Sequence, residues 1–174
     1  MIVRTARLDL VALPPALVAA LVAGDHEAAA RLAPFPVDAS TFDGDGYVLG
    51  LRHAQLQADP GSAPWLLHAM VDRDRGRVVG RVGFHAPPDE ECTVEVGYVV
   101  LPAERRTGYA LEAVVGMLDE AARLGARRCV ASVSPGNAPS QSLVARLGFV
   151  KVGEQVDELD GLEEVLAVDL PLSR

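Results

Sequence analysis

Cysteine is scarce in this chain. Cys92 and Cys129 are the two in 174 residues, far apart and without Cys-x-x-Cys spacing. That pattern argues against a disulfide framework or a zinc ribbon and fits reduced thiols in a cytoplasmic protein. It leaves open only a pair that folding brings together. The four histidines, His26, His53, His68 and His85, are scattered without metal-ligand spacing, so no metal site is expected. No apolar run is long enough to span a membrane, because Pro, Gly or charge interrupts the longest ones. Arg4, Arg7 and Asp9 lie within a strand-like N-terminal segment, which reads as folded chain rather than as a secretory leader. The sequence has no Gly-x-x-x-x-Gly-Lys-Ser/Thr, no Gly-x-Ser-x-Gly and no His-Glu-x-x-His. Gly80-Arg-Val-Gly83 falls inside a predicted strand, so it is not a dinucleotide loop. Excess positive charge is also lacking. The net charge is −8, which argues against sequence-independent binding to nucleic acid.

What is present suits one packed domain over residues 1–174, with hydrophobic residues at 49%. The charge is uneven. Residues 104–151 hold seven basic and four acidic residues, a net of +3, against −11 for the rest. A basic patch on an acidic body suits a polyanionic cofactor and a cationic second substrate. The alternative is that the acidic residues simply keep a folded surface solvated.

Periodicity gives the order of elements. Val3–Val11 reads as a strand, Pro14–Ala23 as a helix with proline in its first turn, and Tyr47–Ala58 as a second helix after a loop at 34–46. Trp65–Val71 and Arg77–Phe84 flank the polar turn 72–76 as a hairpin. Thr93–Leu101 is a β-branched, aromatic strand ended by Pro102. A helix from Ala110 follows, with Val114, Leu118 and Ala121 on its apolar stripe and Gly125 at its end. Arg127–Val133 is a strand, Pro139–Leu147 a helix, and Phe149–Val156 with Glu163–Leu170 a closing hairpin across an acidic loop. This order predicts an α/β fold with a mixed sheet covered by helices on both faces.

The turn Arg105-Arg106-Thr107-Gly108-Tyr109-Ala110 joins the strand at 93–101 to the helix at 110. A helix N-terminus offers free N–H groups and partial positive charge to an anion. Gly108 lets the backbone come close to it, and the arginines add charge. The plainer reading is an ordinary strand-to-helix turn with solvated arginines.

Arg105, Gly108 and Ala110 fit the Arg/Gln-x-x-Gly-x-Gly/Ala pattern, so this stretch resembles the acetyl-CoA-binding motif of the GNAT N-acetyltransferase superfamily. Gly97-Tyr98, Pro102, Glu112-Ala113, then Asn137-Ala138-Pro139-Ser140 and Leu147-Gly148-Phe149 are similar in order and register to its Rim-type branch, the ribosomal-protein acetyltransferases. The opening Thr5-Ala6-Arg7-Leu8-Asp9-Leu10 resembles that branch's first strand. The resemblance implies a GNAT-like, mostly antiparallel central sheet that splays between the motif strand and its neighbour. It implies acetyl transfer from acetyl-CoA to a primary amine, carried by a peptide or a small molecule, by direct attack in a ternary complex. Dimers are frequent among such relatives, so a homodimer is among the expected forms. No nucleic-acid or membrane partner is expected.

The same resemblance suggests roles. The phosphates would rest on the backbone of Arg106, Thr107, Gly108, Tyr109 and Ala110 beside Arg105, and the pantetheine arm on the strand at Val99 and Val100 and on Asn137. Glu95 is the first candidate for the base, directly or through water, with His85 and Glu91 as alternatives; its plainer reading is a surface glutamate. Ser140 is a candidate for contact with the leaving sulfur, or a first-turn serine, and Asn137 can equally be a helix cap. Val144 departs from the superfamily, where many members carry a tyrosine as general acid, and Arg106-Thr107 departs from the Gly-Lys common in the branch. Two other readings stand beside this one: a non-catalytic acyl-CoA-binding or sensory module on the same fold, and an O-acetyltransferase.

Overall fold

The computed structural model describes residues 1–37, 41–42, 44–158 and 161–172. Parts of the loop at 34–46 and of the acidic loop before Glu163 therefore lie outside the described residues. The elements are β1 (Ile2–Arg4), β2 (Leu8–Ala12), α1 (Pro15–Val22), α2 (His26–Leu32), α3 (Gly46–Ala58), β3 (Leu67–Asp72), β4 (Arg77–Phe84) and β5 (Thr93–Val100). They continue with α4 (Tyr109–Arg123), β6 (Arg128–Val133), α5 (Ala138–Arg146), β7 (Val150–Asp157) and β8 (Gly161–Asp169). Eight strands form one sheet in the order β1-β2-β3-β4-β5-β6-β8-β7. Every neighbouring pair is antiparallel except β5 and β6. Gly80 and Gly83 both lie within β4.

Two apolar layers sandwich the sheet. On one face Ala113, Val114, Met117, Leu118 and Ala121 of α4, with Val144 of α5, pack on residues such as Leu10, Val82, Val94 and Val96. These α4 positions recur at three and four residues, the spacing that gives one buried stripe. On the other face α1, α2 and α3 cover Val11, Leu67, Ala69 and Val78. The α/β sheet with helices on both faces is thus observed.

Two elements differ from the expected order. The strand expected over Val3–Val11 is two antiparallel strands, with Ile2 opposite Val11. The chain turns at Thr5–Arg7 because distant donors and acceptors satisfy that turn. Glu112 accepts from the Thr5 hydroxyl and the Arg7 N–H, both at 2.6 Å, and Arg73 donates to the Thr5, Ala6 and Leu8 carbonyls. The second difference is α2, capped by the Asp25 carboxylate on the Ala28 N–H and carrying a Glu27–Arg31 pair one turn apart.

Among the described residues no helix is long and apolar enough to cross a membrane, and no cluster of His, Cys, Asp or Glu has metal-site geometry.

His68 of β3 is fully buried, and neither ring nitrogen makes a hydrogen bond of good geometry. Burial, with the N-terminal charge, pushes its pKa down to about 4 against the opposing Leu66 carbonyl and Glu120. A folded pKa below the unfolded value means that this contribution is intact above about 6.5 and is lost as pH falls toward 4. Wild type should therefore lose about 2 kcal/mol more than His68→Leu between pH 7 and pH 5. Urea denaturation of both proteins at the two pH values checks this; equal losses would remove His68 as the cause.

Candidate functional site

The sheet opens at its one parallel junction. β5 pairs with β6 only at Thr93↔Arg128, Val94↔Cys129 and Glu95↔Val130. β6 then continues to Val133 against β8, while β5 continues to Val100 against β4. From Val96 onward β5 borders a wedge. The Leu101 N–H donates to the Val79 carbonyl and the His85 N–H to the Glu95 carbonyl, so the odd-numbered backbone groups of β5 face β4. Antiparallel pairing alternates, so the groups of Val96, Tyr98 and Val100 face the wedge.

A cleft of about 700 Å³ fills the region between the end of β5, the start of α4 and α5. Every position expected to hold a cofactor borders it: Val99, Val100, Asn137 and the run from Arg105 to Ala110. Ser140 borders it as well. The run from 105 to 110 bends sharply. Arg106 has φ 62° and Gly108, the N-cap of α4, has φ 85°. Left-handed backbone suits glycine at 108 and strains the arginine at 106. Among the described residues, the N–H groups from Arg106 to Leu111 have no backbone acceptor. Six donors at a helix N-terminus face a cleft that can take an anion.

The side chains correct some expected details. Tyr109 turns its ring inward: it is 6% exposed, and its hydroxyl donates to Asp72. That bond, more than burial opposes it, holds Asp72 below the usual carboxylate range. Only the Tyr109 backbone is left for a ligand. Arg105 folds back, its Nε donating to the Val100 carbonyl at 3.2 Å. Val99 borders the cleft, but its backbone faces β4; Tyr98 and Val100 supply the wedge-facing groups. Asn137 is a helix cap, its side-chain oxygen accepting from the Ser140 N–H at 3.2 Å. Val144 is completely buried in the core and presents no polar group.

Three tethers that sequence reading missed hold the bent run. The buried Glu104 carboxylate pairs with Arg75 at 2.6 Å and with Arg77. Arg7 donates to the Thr107 carbonyl at 3.0 Å, pairs with Glu112 at 2.7 Å and lies 4.6 Å over the Tyr109 ring. Burial opposes ionisation of Glu112, but the donors Thr5 and Arg7 outweigh it and lower its pKa. Tyr109 and Asp72 make the third tether.

Glu95 lies outside the cleft lining. Strand alternation puts it on the opposite face of β5 from Val94 and Val96, with Gly97 and Val99. Its carboxylate accepts from the Ser132 hydroxyl at 2.6 Å and lies 3.5 Å from His85 Nδ1. The His85 contact first, then Ser132 and the charges of His85 and Arg52, outweigh burial and lower the Glu95 pKa. The Gln155 amide donates to the Ser132 hydroxyl oxygen and to Glu163, extending the chain to the β7–β8 hairpin. The Arg52 guanidinium and the Gln55 amide both donate to the His85 carbonyl at 2.8 Å. A Cβ at Gly97 would sit 2.9 Å from His85 Nε2. Glycine there lets the imidazole lie over β5 at the mouth of the wedge. Glu91 sits on the exposed loop, its N–H donating to Asp89.

Comparison with known proteins agrees with this geometry. The family model of the acetyltransferase (GNAT) domain matches residues 7–150. The uncharacterized N-acetyltransferase YjdG of Bacillus subtilis is 32% identical over 91 residues, 52% of this chain and 52% of that protein. The uncharacterized N-acetyltransferase YoaA of the same organism is 33% identical over 82 residues, 47% and 46% of the two chains. The alignment thus spans about half the length of each curated relative. Among solved structures, Mycobacterium smegmatis RimJ in complex with CoA-disulfide superposes with TM-score 0.68 at 20% identity, covering 99% of this chain and 90% of that one. The ribosomal-protein-S5-alanine acetyltransferase from Vibrio fischeri superposes with TM-score 0.66 at 18% identity, covering both chains completely. With most of the chain inside the family model and the wedge, bent loop and helix in the expected order, this protein belongs to the GNAT acetyltransferase domain family.

Proposed function

We propose that this chain is one acetyltransferase domain of Rim type, acting in the cytoplasm, that moves an acetyl group from acetyl-CoA to a primary amine. The observation that carries the reading is the meeting of two open backbone surfaces in one cleft: the edge of β5 that has no partner strand beyond Glu95, and the N–H groups from Arg106 to Leu111 that have no backbone acceptor. A ligand with phosphates at one end and an amide-rich arm at the other satisfies both. Bound there, acetyl-CoA supplies an activated acyl group on a thioester.

The chain's own residues divide the work. The N–H groups of the run from Arg106 to Ala110, with the Arg105 and Arg106 charges nearby, hold phosphate. Backbone groups of Tyr98 and Val100 align the arm, and a wedge-facing N–H polarises the acyl carbonyl. Asn137, fixed by its cap, borders the arm. The amine comes from the Glu95 face. Glu95 and His85 act as one proton-accepting pair, the carboxylate on Nδ1 leaving Nε2 over Gly97 for the amine or a bridging water.

The acceptor is best read as an α-amine. Its reference pKa is ~8, against ~10.4 for lysine, so roughly a tenth is already free at neutral pH. The acidic body outside residues 104–151 draws such a cation. The Glu95 carboxylate beside His85 suits a peptide N-terminus or a small amine. The buried Val144 favours one rival, a binding module without turnover.

Two measurements test the proposal. Acetyl-CoA at ~100 times its dissociation constant should stabilise the fold by about 2.7 kcal/mol. Gly108→Val, which puts a β-branched residue at φ 85°, should weaken calorimetric binding at least tenfold at a temperature where the variant is folded. Absence of binding to folded wild type would sink the reading, and binding without thiol release against a broad amine panel would favour the module.

Glu95→Gln should lower turnover about 10²-fold near pH 7, with a smaller loss at pH 9, where the α-amine frees itself. The lowered Glu95 pKa keeps the carboxylate ionised throughout that range, so the rise of wild-type rate with pH does not follow its titration. A rate series from pH 6 to 9 on an identified acceptor checks this. Equal rates for wild type and Glu95→Gln at every pH would remove the carboxylate from the mechanism.

A further inference from the structure

The fold has shut the Tyr98 hydroxyl away from water and left it without a hydrogen-bond partner. An unpaired buried hydroxyl costs free energy, so its retention calls for a reason. Tyr98 sits on β5, packs against the main core and borders the cleft together with Ser140. Ser140 of α5 is a polar neighbour bordering the same cleft, although the two make no hydrogen bond of good geometry. Ser140 is itself fixed, because its N–H is held by Asn137. Val144, one turn further along α5, is fully buried and has no polar atom to offer.

We propose that Tyr98 and Ser140 form a two-hydroxyl donor chain toward the thioester sulfur, Ser140 touching the sulfur and Tyr98 acting behind it as a positioning residue. This rests on the acetyl-transfer reading above. In that reaction the amine nitrogen bonds to the acetyl carbon, and the carbon–sulfur bond breaks with its electron pair on sulfur. The amine gives up one proton on the Glu95–His85 side, and the sulfur takes one from water. A thiol has a reference pKa near ~8.5, so the leaving sulfur carries charge until that proton arrives. A hydroxyl donor stabilises it in the interval. In the loaded site the Tyr98 O–H turns onto Ser140 Oγ, a bond the two do not make in this structure, which points the Ser140 O–H at the sulfur and strengthens it as a donor. Burial pushes the Tyr98 phenol up, with Ser140 pulling weakly the other way, so Tyr98 keeps its proton and serves only as a donor.

The experiment is calorimetric binding of CoA and of desulfo-CoA to wild type, Tyr98→Phe, Ser140→Ala and the double variant. Wild type should prefer CoA by about fivefold, the worth of one hydrogen bond. Each single variant should lose that preference, and the double variant should lose no more than either, since one chain is broken in all three. Tyr98→Phe should keep its melting temperature, because it deletes an unpartnered group. Its kcat should fall about tenfold with an unchanged KM for acetyl-CoA. A merely structural tyrosine would lower the melting temperature and leave the CoA to desulfo-CoA ratio at the wild-type value, which overturns the proposal. Full kcat in Tyr98→Phe with the ratio intact overturns it too. If wild type releases no thiol with any amine, the acetyl-transfer reading fails, and the hydroxyl chain as a device of that reaction fails with it. Wild-type turnover matched by Tyr98→Phe sinks the hydroxyl chain alone.

Discussion

The separation of β5 from β6 after Glu95 is the constraint around which the rest of the molecule is arranged. Parallel strands cannot be joined by a tight turn, so the chain between them must cross over, and α4 makes that crossing. The crossover brings the start of α4 to the same end of β5 where the wedge opens. β6 stays with β8 over its whole length, and β5 stays with β4, so neither strand can close the gap. A central strand is left with Tyr98 and Val100 facing no partner strand. Unpaired backbone in the middle of a sheet is costly unless something else pairs with it. The wedge thus leaves an edge of β5 without a partner strand and open to a ligand.

The loop beside it must keep a bend that its sequence only partly favours. Gly108 takes the left-handed conformation easily, but Arg106 does not. Glu104, Arg7 and the Tyr109–Asp72 bond hold that bend from three sides, using partners on the β3–β4 turn and on the turn between β1 and β2. Exposed ion pairs contribute little to stability on their own. Their value here is position: they fix where six N–H groups point. The arginines that look like ligands for phosphate in a linear reading are partly committed elsewhere, Arg105 to the end of β5.

The opposite face of β5 carries a different network. A run of contacts from Glu163 through Gln155 and Ser132 to Glu95 ties the last hairpin to His85. Glu95 is thereby held ionised and oriented, and the imidazole rather than the carboxylate lies over Gly97. The two faces of one strand thus carry two different surfaces, because successive side chains alternate sides while the backbone stays common to both.

Much of this was legible in the sequence. The strand at 93–100, the turn with Gly108 and the apolar stripe of α4 each follow from local rules of propensity, glycine conformation and helical period. So do the Asn137 cap ahead of Pro139 and the alternation of strands and helices that gives an α/β sheet. The short helix α2 carried its signals too, an Asp25 cap and a Glu27–Arg31 pair, but seven residues give too little period to stand out from a loop. The rest depended on residues far apart in the chain. The turn at Thr5–Arg7 exists because Glu112 and Arg73 satisfy it. The inward turn of Tyr109 needs Asp72, and the pairing of His85 with Glu95 needs the β4–β5 register. The sequence by itself determined the local shapes and the kind of anion site they can build. Only the tertiary structure decided which strand edge stays open, which arginines are already engaged and which hydroxyl is buried beside the cleft, because those outcomes are set by contacts between segments that no local pattern encodes.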